Sequence, residues 1–197
     1  NSGTGALEIT TTGTTTGTND SGIHARNSAA GTSLTINAAT TTGDRNGIYA
    51  ENSGDGALEI TTTGTTTGTS STGIGAINST AGTSLKITAE DTTGTQGINA
   101  LNNGTGALEI TTTGTTTGTS SNGIYALNTG TGALSITTTG TTTGGDDGIQ
   151  AFINNTASTG DLTINAATTT GGVYGIQGYN KGTGALSITT SGAITGG

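Results

Sequence analysis

The sequence predicts an all-β fold: a parallel β-solenoid of about eight coils, three short strands to a coil, built as a single domain over residues 1–197. Three observations lead there. A Leu-x-Ile motif, first met in Gly5-Ala6-Leu7-Glu8-Ile9-Thr10-Thr11-Thr12, occurs eight times. Each copy leads into a threonine tract, and the first seven continue into Gly-Ile-x-Ala-x-Asn or a close variant. The leucines (Leu7, Leu34, Leu58, Leu85, Leu108, Leu134, Leu162 and Leu186) stand 23 to 28 residues apart, which suits three strands and three turns per coil. Finally, apolar residues make up only 28% of the chain, and Leu, Ile, Val and Phe together number 30. That composition alone would suggest a disordered chain. Disorder gives no reason for fixed offsets, whereas a solenoid needs only a few inward side chains per coil because stacking makes the core continuous.

The first strand of a coil alternates by twos, so Leu7, Ile9 and Thr11 point inward and Glu8, Thr10 and Thr12 point out. The third inward position is Ala38 or Ala166 in other coils, which implies a thin core. Gly13 or its neighbour is expected to bend the chain through backbone angles that a Cβ would oppose.

The second strand is the threonine tract. Its middle residue becomes Ile194 in the last copy, which points that column inward and turns the flanking residues outward as a Thr-x-Thr ladder. The ladder comprises Thr14 and Thr16, Thr40 and Thr42, Thr65 and Thr67, Thr115 and Thr117, Thr141 and Thr143, and Thr168 and Thr170, with Asp91 and Ala193 as interruptions. Threonine is a strong strand former, and hydroxyl bonding along the ladder is expected.

The third strand carries Gly22-Ile23-His24-Ala25-Arg26-Asn27 and its counterparts, with Ile and Ala inward. Asn follows the Ile by four residues in six of seven copies (Asn27, Asn52, Asn78, Asn102, Asn128 and Asn180), predicting a stack of side-chain amides. In the remaining copy, Phe152-Ile153-Asn154-Asn155 has an extra residue and is expected to bulge.

Two outward columns of this strand are candidate interaction surfaces. One runs Arg26, Glu51, Ile77, Leu101, Leu127, Phe152, Tyr179, and its apolar members Ile77, Leu101, Leu127, Phe152 and Tyr179 would form a stripe fit for self-association or a receptor. The other runs His24, Tyr49, Gly75, Asn99, Tyr125, Gln150, Gln177 and widens that face. The Thr-x-Thr ladder offers a different use, presenting ranked hydroxyls and methyls to ice.

The formal charge of −8, with only four Lys and Arg, argues against nucleic acid and against anionic membrane surfaces. No stretch approaches the roughly 18 apolar residues of a membrane span, so no direct membrane insertion is expected. An enzyme is not expected either: Glu8, Glu59 and Glu109 sit on alternate coils without an arginine at matching positions. Asp146-Asp147 lacks the repeat context of a calcium-binding roll, and no metal or cofactor is expected. His24 reads as a solvated strand residue, and Asp44-Arg45 and Glu90-Asp91 as turn residues.

The repeats Gly-Thr-Gly-Ala-Leu-Glu-Ile-Thr-Thr-Thr-Gly and Gly-Ile-Tyr-Ala-x-Asn resemble, over the whole chain, the passenger region of bacterial autotransporters. The resemblance implies a right-handed β-helix displayed outside the cell, adhesive or aggregating, with other copies or a host or neighbouring-cell surface as partners. Both ends fall inside a repeat, so the expectation is a piece of a longer chain or a unit that stacks end to end.

Overall fold

The computed structural model describes all residues, 1–197. Its first coil is β1 (Leu7–Thr11), β2 (Thr15–Gly17) and β3 (Ile23–Asn27), and the pattern recurs to the strands Leu186–Thr190 and Ile194–Thr195. First strands form one sheet of eight, second strands another of eight, and third strands a sheet of seven. The solenoid therefore has seven complete coils and two strands of a further one. Every pairing is parallel and joins a strand to its counterparts one coil away, as in Leu7↔Leu34 and Ile23↔Ile48.

The core is a set of columns. Leu34, Leu58, Leu85, Leu108 and Leu134 have no exposed surface, nor have Ile48, Ile74, Ile98 and Ile124 of the third strands. Burial by repetition is what lets so apolar-poor a chain close a core. The third inward position of the first strand is Thr62, Thr112 or Thr138 in some coils and Ala38, Ala89 or Ala166 in others. Corner length follows it: the threonines precede corners such as Thr63-Gly64-Thr65, the alanines the shorter Ala39-Thr40, Glu90-Asp91 and Ala167-Thr168.

Glycine's role at the corners differs from the expectation. No glycine has a positive φ, so Gly13 bends the chain without unusual backbone angles. What the glycines supply is room between coils. A Cβ on Gly64 would sit 2.9 Å from Thr40 Oγ1, and one on Gly47 would sit 2.6 Å from Thr66 Cγ2 and 2.7 Å from the Gly73 carbonyl oxygen. The Gly before each third-strand Ile is thus the slot that receives the inward threonine methyl of the next coil, or at Gly175 the Cγ2 methyl of Ile194.

The amide stack forms as expected. Nδ2 of Asn27 donates to Asn52 Oδ1 at 3.0 Å, Asn52 to Asn78 at 3.1 Å, Asn78 to Asn102 at 3.0 Å and Asn102 to Asn128 at 3.3 Å. Each amide also serves its own turn: Asn102 Nδ2 donates to the Gly106 carbonyl at 2.9 Å, and its Oδ1 accepts the Gly104 N–H at 3.3 Å. These side chains have at most 1% of their surface exposed, so the amides carry the polar requirements of a turn buried between coils.

The expected bulge at Phe152-Ile153 is absent. Register runs through it, with Leu127↔Phe152 and Asn128↔Ile153, and the extra residues fall in the following turn. Ile153 fills the asparagine position, fully buried, and ends the amide row. Polar service passes to the longer turn: Asn155 Nδ2 donates to the carbonyls of Thr129 and Gly130, and Ser158 Oγ to that of Thr131 at 3.0 Å.

Threonine hydroxyls also behave differently from expectation. None bonds another threonine hydroxyl. Most that donate across coils, such as Thr119 Oγ1 to the Gly94 carbonyl at 3.2 Å, sit in turns and use the preceding coil's backbone, while Thr129 Oγ1 donates to Asn103 Oδ1 at 2.8 Å. The inward threonines Thr62, Thr66, Thr92, Thr112, Thr116 and Thr142 leave their hydroxyls buried and unpartnered. Their methyls occupy the core, and the hydroxyl detracts from that packing by forgoing its bonds to water.

At the last coil the inward column opens to solvent, with Leu186 49%, Ile188 44% and Ile194 38% exposed.

These two polar populations give opposite expectations. Thr116→Val keeps the methyl and removes an unpartnered hydroxyl, and should raise stability by about 1 kcal/mol. Asn102→Ala strands several buried groups at once and should cost about 2–3 kcal/mol. Thermal melts followed by circular dichroism compare both with the parent; a destabilised Thr116→Val would mean that its hydroxyl is partnered in the core.

Candidate interaction surfaces

Outward residues of the third strands stand in register as two parallel columns. Glu51↔Ile77, Ile77↔Leu101, Leu101↔Leu127, Leu127↔Phe152 and Phe152↔Tyr179 are direct partners, which brings the five apolar residues of the expected stripe onto adjacent coils. They are less open than foreseen. Ile77, Leu101, Leu127 and Phe152 are half-buried, because each is flanked along the sheet, and only Tyr179 is well exposed, at 55%.

The neighbouring column joins in through its aromatics. Tyr125 meets Phe152 edge-to-face with ring centroids 6.3 Å apart, and Phe152 meets Tyr179 likewise at 6.5 Å. Edge-to-face pairs set the positive rim of one ring against the negative face of the next and fix their orientation. With Leu127 and Asn154 they line a shallow depression of about 260 Å³.

The same face begins differently at the early coils. Arg26 Nη2 lies 3.0 Å from Glu51 Oε2 in the adjacent coil. His24 and Tyr49 make an edge-to-face pair with centroids 5.2 Å apart, and His24 Nδ1 is 4.0 Å from Asp20 Oδ2. Tyr49 O–H donates to Glu51 Oε2 at 3.5 Å. Partial burial, then the nearby Glu51 charge, pushes the Tyr49 phenol above its ordinary value of 10.0. Asp20, Ser21, His24, Arg26, Arg45, Asn46 and Tyr49 together line a cleft of about 240 Å³. Sequence reading placed His24 in solvent and Arg45 in a turn without connecting them. The available signal was a 25-residue offset between coils: it sets His24 in register with Tyr49 and Arg26 with Glu51, and brings Arg45 against Asp20.

The threonine face is divided. The third threonine of each tract lies within the second strand, and Thr16, Thr42, Thr67, Thr93, Thr117, Thr143, Thr170 and Thr195 pair without a break. The first threonine of each tract (Thr14, Thr40, Thr65, Thr115, Thr141, Thr168) precedes the strand and belongs to the corner. Asp91 interrupts that column because it has work there: its Oδ1 accepts the Thr115 N–H at 2.7 Å, capping the residue by which the next corner is longer.

The remaining acidic residues are placed structurally. Lys86 stands in register between Glu59 and Glu109. Asp147, buried, accepts the Tyr174 N–H at 3.1 Å and Gln150 Nε2 at 2.8 Å, while Asp146 is exposed.

Fold and outward columns define a three-sheet parallel β-solenoid whose sheets carry distinct surfaces. No protein-family model matches this chain, nor does any curated protein or solved structure match it.

The raised Tyr49 phenol sets a pH dependence. Its folded pKa exceeds the unfolded value, so its contribution is fully present below about pH 10 and is lost as pH rises through the folded pKa. The melting-temperature difference between the parent and Tyr49→Phe should be constant below that window and shrink above it. A difference independent of pH up to 12 would mean that neither burial nor Glu51 raises the phenol.

Proposed function

We propose that this chain is a non-enzymatic rod of a bacterial surface protein, held outside the cell, which adheres and self-associates through its third sheet. The observation that carries the reading is the contiguous column Ile77, Leu101, Leu127, Phe152, Tyr179, reinforced by Tyr125. The inward positions of the same strands already supply the core, so this outward row is not needed to close the coils. Rigid aromatic and aliphatic side chains ordered by a sheet are the residue types that anchor protein interfaces. A net charge of −8 keeps such a rod soluble while the stripe provides a local exception.

Leu127→Asp and Phe152→Asp should each lower the sedimenting mass of the protein at high concentration without changing its circular dichroism. A mass distribution identical to the parent would remove the stripe from the account.

A second reading, ice binding, has one observation in its favour: the unbroken register of outward threonines in the second sheet, repeating at about 4.8 Å. The corner position of the other threonine column and its break at Asp91 work against a flat two-column lattice. Ice grown from a dilute solution should form round crystals with no gap between melting and freezing points. Faceted crystals with a gap would transfer the function to Thr42, Thr67, Thr117, Thr143 and Thr170, and Thr117→Leu should then reduce the gap.

A further inference from the structure

Positive charge is scarce in this chain, and its location is uneven. Of the four Lys and Arg and the single His, three line one cleft at the first two coils: His24, Arg26 and Arg45. They are not equivalent. The Arg26 guanidinium is committed to Glu51, with Nη2 3.1 Å from Oε1 and 3.0 Å from Oε2. His24 leans toward Asp20 at 4.0 Å and stacks on Tyr49. Arg45 has no acidic partner and no side-chain hydrogen bond, and it stands exposed at the mouth of the cleft. An unpaired guanidinium is a planar fork that matches a carboxylate with two parallel N–H···O bonds.

The other walls suit a ring that carries hydroxyls. The His24 and Tyr49 rings, held edge-to-face at 5.2 Å, give an apolar flank with polar tips. Ser21 Oγ accepts from Asn46 Nδ2 at 3.2 Å and donates to Asp20 Oδ1 at 3.3 Å, which fixes the hydroxyl in place and leaves it one acceptor position for a ligand. Asn46 is itself pinned, because its Oδ1 accepts the Thr72 N–H at 3.3 Å from the next coil. Asp20 is exposed and can accept from a ligand hydroxyl, and its charge disfavours a polyanion in so small a space. A volume of about 240 Å³ fits one sugar ring and little more.

We propose that this cleft binds a carboxylated monosaccharide unit of the uronic-acid class, its carboxylate on Arg45, its ring against His24 and Tyr49, and its hydroxyls on Ser21 and Asp20. The site lies at the opposite end of the third sheet from the aromatic cluster and is independent of self-association. It adds a defined glycan contact to the rod. A single sugar held by one ion pair and a few hydrogen bonds binds with a dissociation constant on the order of 1 mM.

The test is a titration of the full chain, labelled with nitrogen-15, using D-glucuronate, with D-glucose, acetate and inorganic sulfate as parallel titrants. Saturable shifts at the amides of Ser21, His24, Asn46 and Gly47 are expected with glucuronate. Glucose should give no saturation, and acetate should bind at least tenfold more weakly. Arg45→Gln should weaken glucuronate at least tenfold, whereas Lys86→Gln, in the first sheet, should leave it unchanged. Acetate or sulfate binding as tightly as glucuronate would reduce the cleft to a general anion site and overturn the proposal. So would the absence of saturable shifts, or an affinity that Arg45→Gln does not alter.

Discussion

Hydrogen bonding from each coil to the next, continued through the turns as well as the strands, is the constraint on which the rest of this molecule depends. Of 128 backbone hydrogen bonds, 59 lie outside the strand ladders. Many of these join one turn to the turn above it, as when Thr69, Ser70 and Ser71 donate to Gly43, Asp44 and Arg45. A loop in a globular domain satisfies its backbone with water. Here the turns are stacked, so a change of length in one coil leaves an N–H without a natural partner in its neighbour. Side-chain oxygens absorb the mismatch. Asn46 Oδ1 accepts from Thr72, and Asp91 Oδ1 from Thr115, each where the following corner is one residue longer. That is why leucine spacings can vary while every strand keeps its register.

The same stacking organises the surface. Each outward position has a counterpart one coil away, so surface chemistry comes in columns. The first sheet carries Glu59, Lys86, Glu109 and Ser135 on successive coils, a lysine between two glutamates followed by a neutral residue. The second presents threonine, and the third changes along its length from the charged pair Arg26 and Glu51 to the aromatic set Tyr125, Phe152 and Tyr179. Because the inward side of every strand is committed to a narrow core, variation between coils falls mainly at outward positions and turns, with Thr or Ala at the third inward position and Ile153 in the asparagine row as inward exceptions.

Strand positions, inward columns, the amide stack and the composition of the stripe were all legible in the sequence. Period-two alternation reports them within a few residues, and repetition reports them from one coil to the next. What was not legible depends on relations between coils. Whether the extra residue near Phe152 bulges a strand or lengthens a turn is decided by pairing with Leu127 and Asn128, more than twenty residues away. Glycine at the corners suggested unusual backbone angles. The actual reason is the approach of a threonine methyl or a carbonyl from the adjacent coil, which no local pattern encodes. The cleft at Arg45 draws its walls from two turns and two strands of different coils, and its basic residues His24, Arg26 and Arg45 recur at no other coil, so repetition itself hid it. The unpartnered inward hydroxyls were hidden for a related reason: threonine in a strand looks the same whether its oxygen finds an acceptor or not.

The row of asparagines has a direction. In every link the donor belongs to the earlier coil and the acceptor to the later one, from Asn27 through Asn128. The amide dipoles therefore add head to tail along the axis, much as peptide dipoles add in a helix, and each polarises the next. A rod whose sheets carry little net dipole of their own thus acquires an electrical polarity from one line of side chains. Its positive pole lies inside the molecule at Asn128, where Nδ2 donates to the Gly132 and Ala133 carbonyls because Ile153 on the next coil offers no side-chain acceptor. The two ends of the row are therefore electrostatically unlike even though the backbones around them are the same.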